Sequence, residues 1–224
     1  MLDRVAIDEE LTIQADEHLL PGTLTVPDAA RGMVVFAHGS GSSRHSPRNV
    51  HVARVLQGAG LGTLLFDLLT VDEERVDAVD GRLRFDIGLL SRRLDAAVYA
   101  VADDAHIAQL PVGLFGASTG AAAALVTAAR LPEMVRSVVS RGGRPDLAGT
   151  ALRGVQAAVL LIVGSIDNTV LELNREAARQ LRAEHELSVV PGATHLFPEP
   201  GALDEVARLA TAWFIRTLVP PLPT

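Results

Sequence analysis

The sequence predicts an α/β chain with a mostly parallel central sheet and helices on both faces. Short β-type runs alternate with helix-type runs along most of its length. Several apolar runs stop abruptly in loops of glycine, serine and aspartate, as buried strands do at their carboxyl ends. The composition suits a packed core: of 224 residues, 48% are hydrophobic and 21% charged. No internal repeat or low-complexity linker interrupts the pattern, and residues 1–224 read as one domain with little or no cap.

The opening differs from the rest. Val5–Ile13 and His18–Val26 alternate weakly and predict an antiparallel pair, with Pro21-Gly22 and Pro27-Asp28 as breakers. Gly32–Ala37 is the first buried strand, followed by the small-residue loop HGSGSSRHSPRN. Ser46-Pro47 then starts a helix, serine as N-cap and proline at the first helical position, running to Gly58. Gly62–Phe66 is the next strand, ending at Asp67. Asp72–Arg84 is charged and without a clear period. Phe85–Ala102 is a helix with Ile87, Leu90, Leu94 and Val98 on one face.

Pro111–Phe115 is a strand that runs into GASTG (116–120) and then into Ala121–Arg130, almost pure helix former. Val135–Val139 leads to the loop SRGGRPDLAG. Ala158–Val163 is a fully apolar strand ending in Gly164-Ser165-Ile166-Asp167. Leu171–Leu181 is a helix, Glu186–Val190 the last strand, and Leu203–Leu218 a closing amphipathic helix. The tail Pro220-Pro221-Leu222-Pro223 cannot continue that helix. The aperiodic stretches 68–85 and 141–155 are the segments placed to cover and shape a site.

Composition removes several classes of function. There is no cysteine, so there are no disulfides, thiolate metal sites or cysteine nucleophile. All 20 basic residues are arginine, so there is no P-loop lysine, Schiff base or Ser–Lys dyad. Aromatic residues at 4% and a net charge of −7 argue against a nucleic-acid partner. The amino terminus MLDRVAIDEE lacks the apolar core of a secretory signal. The least polar stretch, 112–129, is broken by glycines and hydroxyl residues and does not read as a membrane span. A cytoplasmic protein without a membrane partner is the expectation.

GASTG carries the chemistry. A serine on a tight strand-to-helix turn is exposed, and the helix beneath favours negative charge in front of it. The alternative is that Ser118 merely caps the helix. A serine hydroxyl needs a base, normally a histidine oriented by a carboxylate. Of seven histidines, only His195 lies in a downstream loop just past a strand end, where parallel-sheet loops collect on one edge. Asp167 fits the carboxylate, although it, Asn168 or Thr169 would also serve as a helix cap; Asp67 and Asp146 compete for the role. The oxyanion of an acyl-transfer intermediate needs aligned N–H groups. Thr119 supplies one and the HGSGSS loop another, at Ser40. Arg44, Arg48, Arg141 and Arg144 lie in loops nearest this edge. Arg44 and Arg141 in particular are candidates for holding a carboxylate or phosphate on the substrate. No convincing metal-ligand cluster is present, and no cofactor is expected.

These residues resemble a known family. HGSGSS at 38–43, GASTG at 116–120, GSID at 164–167 and ATHLF at 193–197, in the order Ser, Asp, His, are similar to the small α/β-hydrolases of the dienelactone-hydrolase-like branch. The resemblance covers almost the whole length. It implies Ser118 as nucleophile, His195 as base, Asp167 as its orienting acid and a small-molecule ester as substrate. Dienelactone hydrolase itself uses a cysteine nucleophile; serine here favours simple esters. The segments around Pro47 and Arg141 also resemble small hydrolases that occur alone or joined to a phosphoribosyltransferase-like domain, and no such domain is read in this sequence. Amide, thioester or perhydrolytic chemistry on the same residues, and a non-catalytic binding module on the same scaffold, remain alternatives.

Overall fold

The protein is described by a computed structural model over residues 5–219; the proline-rich tail lies outside the described residues. Eight strands form one sheet in the order β1-β2-β4-β3-β5-β6-β7-β8. β1 (Val5–Ala15) and β2 (His18–Pro27) are antiparallel, and β2 pairs antiparallel with β4 (Gly62–Phe66). β3 (Met33–Ala37), β5 (Val112–Ala117), β6 (Val135–Arg141), β7 (Ala158–Gly164) and β8 (His185–Val190) complete a parallel remainder. All five residues of β3 and of β4 and all six of β5 are buried, which is why these strands read as unbroken apolar runs.

Side chains alternate across the sheet. Val34 and Phe36 point to a core shared with α1 (Pro47–Gly58) and α6 (Ala202–Leu218). Met33, Val35 and Ala37 point to the opposite core, built with α3 (Ile87–Asp103), α4 (Thr119–Arg130) and α5 (Asn168–Gln180). On the first face Phe36 and Phe115 meet with ring centroids 4.9 Å apart. β3 lies at the centre, with β4 on one side and β5 on the other. The chain order reverses there, and a crevice opens beyond the carboxyl ends of β3 and β5.

Several sequence-based boundaries shift. Pro21-Gly22 does not break β2. Its partners on β4 begin only at Gly22, so the missing Pro21 N–H costs no ladder bond on that side. The two residues Asp16 and Glu17 turn β1 into β2, Asp16 at φ 52°. α3 starts at Ile87 rather than Phe85, because the Asp86 carboxylate accepts the Leu89 N–H at 2.8 Å. α5 starts directly after Asp167, three residues earlier than the apolar period suggests.

The stretch without a clear period holds a helix, α2 (Val71–Asp80), followed by a 3₁₀ turn at Leu83–Phe85. Its only buried residue is Asp77, so hydrophobic periodicity is absent by construction. Local chemistry defines it instead. The Thr70 hydroxyl accepts the Glu73 N–H at 3.2 Å and the Glu73 carboxylate accepts the Thr70 N–H at 2.8 Å, a reciprocal capping box. Gly81 ends the helix at φ 67°. Ion pairs replace an apolar face: Glu73 takes buried Arg93 at 2.9 Å, and Asp77 takes Arg84 at 2.6 Å. Between β6 and β7 a kinked 3₁₀ segment, Pro145–Gly154, packs against α4 and α5, so of the stretch 141–155 it is Arg141 and Arg144 that reach the sheet edge carrying Ser118.

Candidate active site

β5 runs straight into α4 through Ser118, which has φ 52° and ψ −119°. This conformation is strained for a residue with a Cβ and costs about 1–3 kcal/mol. The neighbours enforce it. The Ser118 N–H donates to the Arg141 carbonyl at 3.3 Å, and its carbonyl accepts the Ala121 and Arg144 N–H groups, both at 3.1 Å. A Cβ on Gly116 would lie 2.4 Å from the Ala121 Cα, and one on Gly120 would lie 2.2 Å from the Ala37 carbonyl oxygen. The pattern Gly-x-Ser-x-Gly is therefore a steric requirement of this turn. Ser118 occupies the N-cap position of α4, yet its side chain makes no capping bond, so the hydroxyl is not consumed by the helix.

Alanine is normally the better helix residue, by about 1 kcal/mol over glycine. At position 120 the clash outweighs that gain. Gly120→Ala is expected to lose about 1–3 kcal/mol of stability, from overpacking against the β3 backbone. A melting temperature at or above the parent's would contradict the close approach.

The loops after β7 and β8 are stitched together. Ser165 N–H donates to Val190 O at 2.9 Å, Ile166 N–H to Ala193 O at 3.0 Å, and Gly192 N–H to Ser165 Oγ at 2.8 Å. A Cβ on Gly164 would lie 2.3 Å from Ala193 O. This contact brings Asp167 to His195, with Oδ2 2.6 Å from Nδ1. Asp167 stands at the N-cap of α5 but makes no capping bond; its carboxylate goes to the imidazole instead. The other carboxylates considered from sequence are committed elsewhere. Asp67 accepts the Arg44 backbone N–H at 2.7 Å and pairs with the Arg44 guanidinium. Asp146 is held by two bonds from Arg144, at 2.8 and 2.7 Å.

Ser118, Thr119, Ser40, Asp167, His195 and Arg141 all line one cleft of about 460 Å³. The Ser40 and Thr119 hydroxyls are hydrogen-bonded to each other at 3.1 Å, which joins the loop after β3 to the start of α4. Buried His38 shapes the loop behind Ser40. The Leu68 N–H donates to His38 Nε2 at 3.0 Å, so the proton sits on Nδ1, which donates to Gly39 O at 3.0 Å. Burial lowers the His38 pKa and keeps this neutral tautomer. In a trans peptide the N–H points opposite to the carbonyl. Fixing Gly39 O therefore fixes the direction of the Ser40 N–H.

Arg44 departs from the sequence-based expectation. It does not line the cleft, because Asp67 and Glu10 neutralise it. Arg48, Arg141 and Arg144 do line it. Arg144 is neutralised by Asp146, which raises its pKa. Arg141 is only 5% exposed, and its side-chain hydrogen bond is to Asn49 Oδ1 at 3.3 Å. Burial, with the charge of Arg48 adding to it, lowers its pKa to about 10, so it stays charged at neutral pH. Two features escaped the sequence reading. Phe85 and Leu196, both about half exposed, add apolar surface to the cleft. A second cavity of about 330 Å³ lies between the 38–43 loop and α2 and shares Ser40 and Thr119 with the first. Thr70-x-x-Glu73 and Gly81 were the signals that would have located α2.

Among the described residues, no helix is long and apolar enough to cross a membrane. The model of the dienelactone hydrolase family matches residues 20–217. Two proteins of Mycobacterium tuberculosis, each named "Putative phosphoribosyl transferase", are 57% identical over 217 residues, 97% of this chain but 48% of theirs. The chain thus spans about half the length of these relatives. The crystal structure of a dienelactone hydrolase from Anabaena variabilis is 53% identical and superposes with a TM-score of 0.92, covering 95% of this chain and 98% of that one. Est1E from Butyrivibrio proteoclasticus, 15% identical, shares the fold at a TM-score of 0.77 over 92% of this chain and 98% of its own. The parallel sheet, the strained turn at its switch point and the match over nearly the whole length agree: the chain belongs to the dienelactone hydrolase family.

Proposed function

We propose that this hydrolase-family protein is a serine hydrolase that cleaves small carboxylic esters through an acyl-enzyme. The observation that carries the reading is a strained, uncapped Ser118 sharing one cleft with a His195–Asp167 pair. Ser118 Oγ attacks the ester carbonyl while His195 Nε2 takes its proton. Asp167 holds Nδ1–H, which fixes the tautomer and stabilises the imidazolium. The Ser40 and Thr119 N–H groups receive the oxyanion, and the amino end of α4 adds its dipole. Collapse of the tetrahedral intermediate breaks the bond to the alcohol, which leaves with the proton from His195. Water, deprotonated by His195, then hydrolyses the acyl-enzyme and restores Ser118.

The hydrolase-family match lies within the part shared with the M. tuberculosis relatives, so phosphoribosyl transfer is not proposed for this chain. A fluorophosphonate probe tests the mechanism. One adduct per chain, mapped to Ser118, is the expected result. A folded protein that stays unlabelled, or that is labelled at another serine, would reject it.

A further inference from the structure

We propose that Arg48 and Arg141 form an anion subsite beside Ser118, which holds a phosphoryl dianion on the substrate. As a statement about substrate it rests on the hydrolytic reading above; as a binding site it stands on its own geometry. Among the described residues two arginines are buried, and they differ in whether a carboxylate meets them. Arg93, whose Nε and Nη1 are also buried without partners, is nevertheless paired with the Glu73 carboxylate at 2.9 Å. Arg141 reaches no carboxylate among the described residues, only the neutral Asn49, and its Nε is buried without a partner. Arg48, from the first turn of α1, lines the same cleft and also has a buried Nε without a partner. Its charge adds to that of Arg141 rather than offsetting it.

An uncompensated buried charge is expensive, and two of like sign side by side are more so. Arg48 also lies at the positive end of α1, which has no acidic residue in its first turn. Arg44, Arg84 and Arg144, which are only partly buried, each have a carboxylate. An anion at Arg48 and Arg141 would therefore supply the negative charge that Arg93, Arg44, Arg84 and Arg144 each find within the fold. A phosphoryl monoester carries about −1.5 to −2 charges at neutral pH and three acceptor oxygens, against one charge on a carboxylate. Two free guanidinium charges match the former. The site is placed for it: Arg141 pairs in register with Ala117, and its carbonyl accepts the Ser118 N–H. An ester whose anionic group rests on Arg48 and Arg141 would thus lie with its carbonyl within reach of Ser118.

Calorimetric titration of the full chain with inorganic phosphate tests the subsite, at constant ionic strength because exposed parts of the interaction are screened. The parent is expected to bind phosphate. Arg48→Gln and Arg141→Gln should each bind it about tenfold or more weakly, as loss of a charge-assisted contact predicts. Acetate should bind the parent about tenfold or more weakly than phosphate. Arg48 is half-buried and carries the test should Arg141→Gln fail to fold. No binding by the parent, equal binding by a folded variant, or acetate as strong as phosphate would each overturn the assignment. Phosphate should also slow fluorophosphonate labelling of the parent. If no labelling occurs at all, the hydrolytic reading fails, and the titration still decides the anion subsite.

Discussion

Ser118→Ala is expected to lower kcat/KM on a p-nitrophenyl ester by about 10³-fold or more while leaving the melting temperature close to the parent's. The two halves of this expectation have separate causes. Catalysis falls because no other hydroxyl stands at the apex of the turn; what remains comes from oriented amides and substrate binding. Stability holds because the serine side chain makes no capping bond, and alanine keeps the same Cβ in the same strained φ. Turnover within about tenfold of the parent would remove Ser118 from the mechanism. A large drop in melting temperature would show instead that the hydroxyl supports the fold.

His195→Ala should cost about as much as Ser118→Ala, and the double variant little more, because a nucleophile and its base act as one unit. Additive losses would mean that the two residues work independently. Asp167→Asn probes the third position more finely. An asparagine amide in place of the carboxylate can donate toward Nδ1 and so move the imidazole proton to Nε2, where it blocks proton uptake from serine. The expected loss is about 10²- to 10⁴-fold, without loss of fold, since Asp167 does not cap α5. If Asp167→Asn instead kept its activity and melted several degrees lower, the residue would be a helix cap. Asp67 would not inherit the role, because Arg44 already holds its carboxylate.

Much of the site was legible because its parts are local. GASTG is a steric statement about one turn: Gly116 and Gly120 face backbone atoms that leave no room for a Cβ. Strand ends mark which loops share an edge, and that sufficed to place His195 with Ser118 in one cleft. Where the structure departs from the sequence reading, ion pairs take the place of apolar packing, and hydrophobic period does not register them. α2 has a polar inner face that docks through Arg93 and Arg84, so its legible signals are the capping box at Thr70 and Glu73 and the terminal Gly81. Arg44 is near the site in sequence, but the parallel pairing of β3 with β4 sets Asp67 beside its loop, and the antiparallel edge of β1 and β2 adds Glu10.

The sequence by itself determined the order and type of nearly all elements, the parallel class of the sheet and the turn that carries Ser118. These depend on periodicity, glycine and short-range capping, which neighbouring residues decide. Only the tertiary structure decided which carboxylate meets His195 and which arginines keep an uncompensated charge. From sequence Asp167 fits best, with Asp67 and Asp146 as competitors, each an acid beyond a strand. In three dimensions the two competitors are neutralised by arginines, and Asp167 is carried to Nδ1 by the contact of Gly164 with Ala193. Electrostatic pairing depends on distance in space, and residues 28 apart in the chain become partners at 2.6 Å only when the sheet is closed.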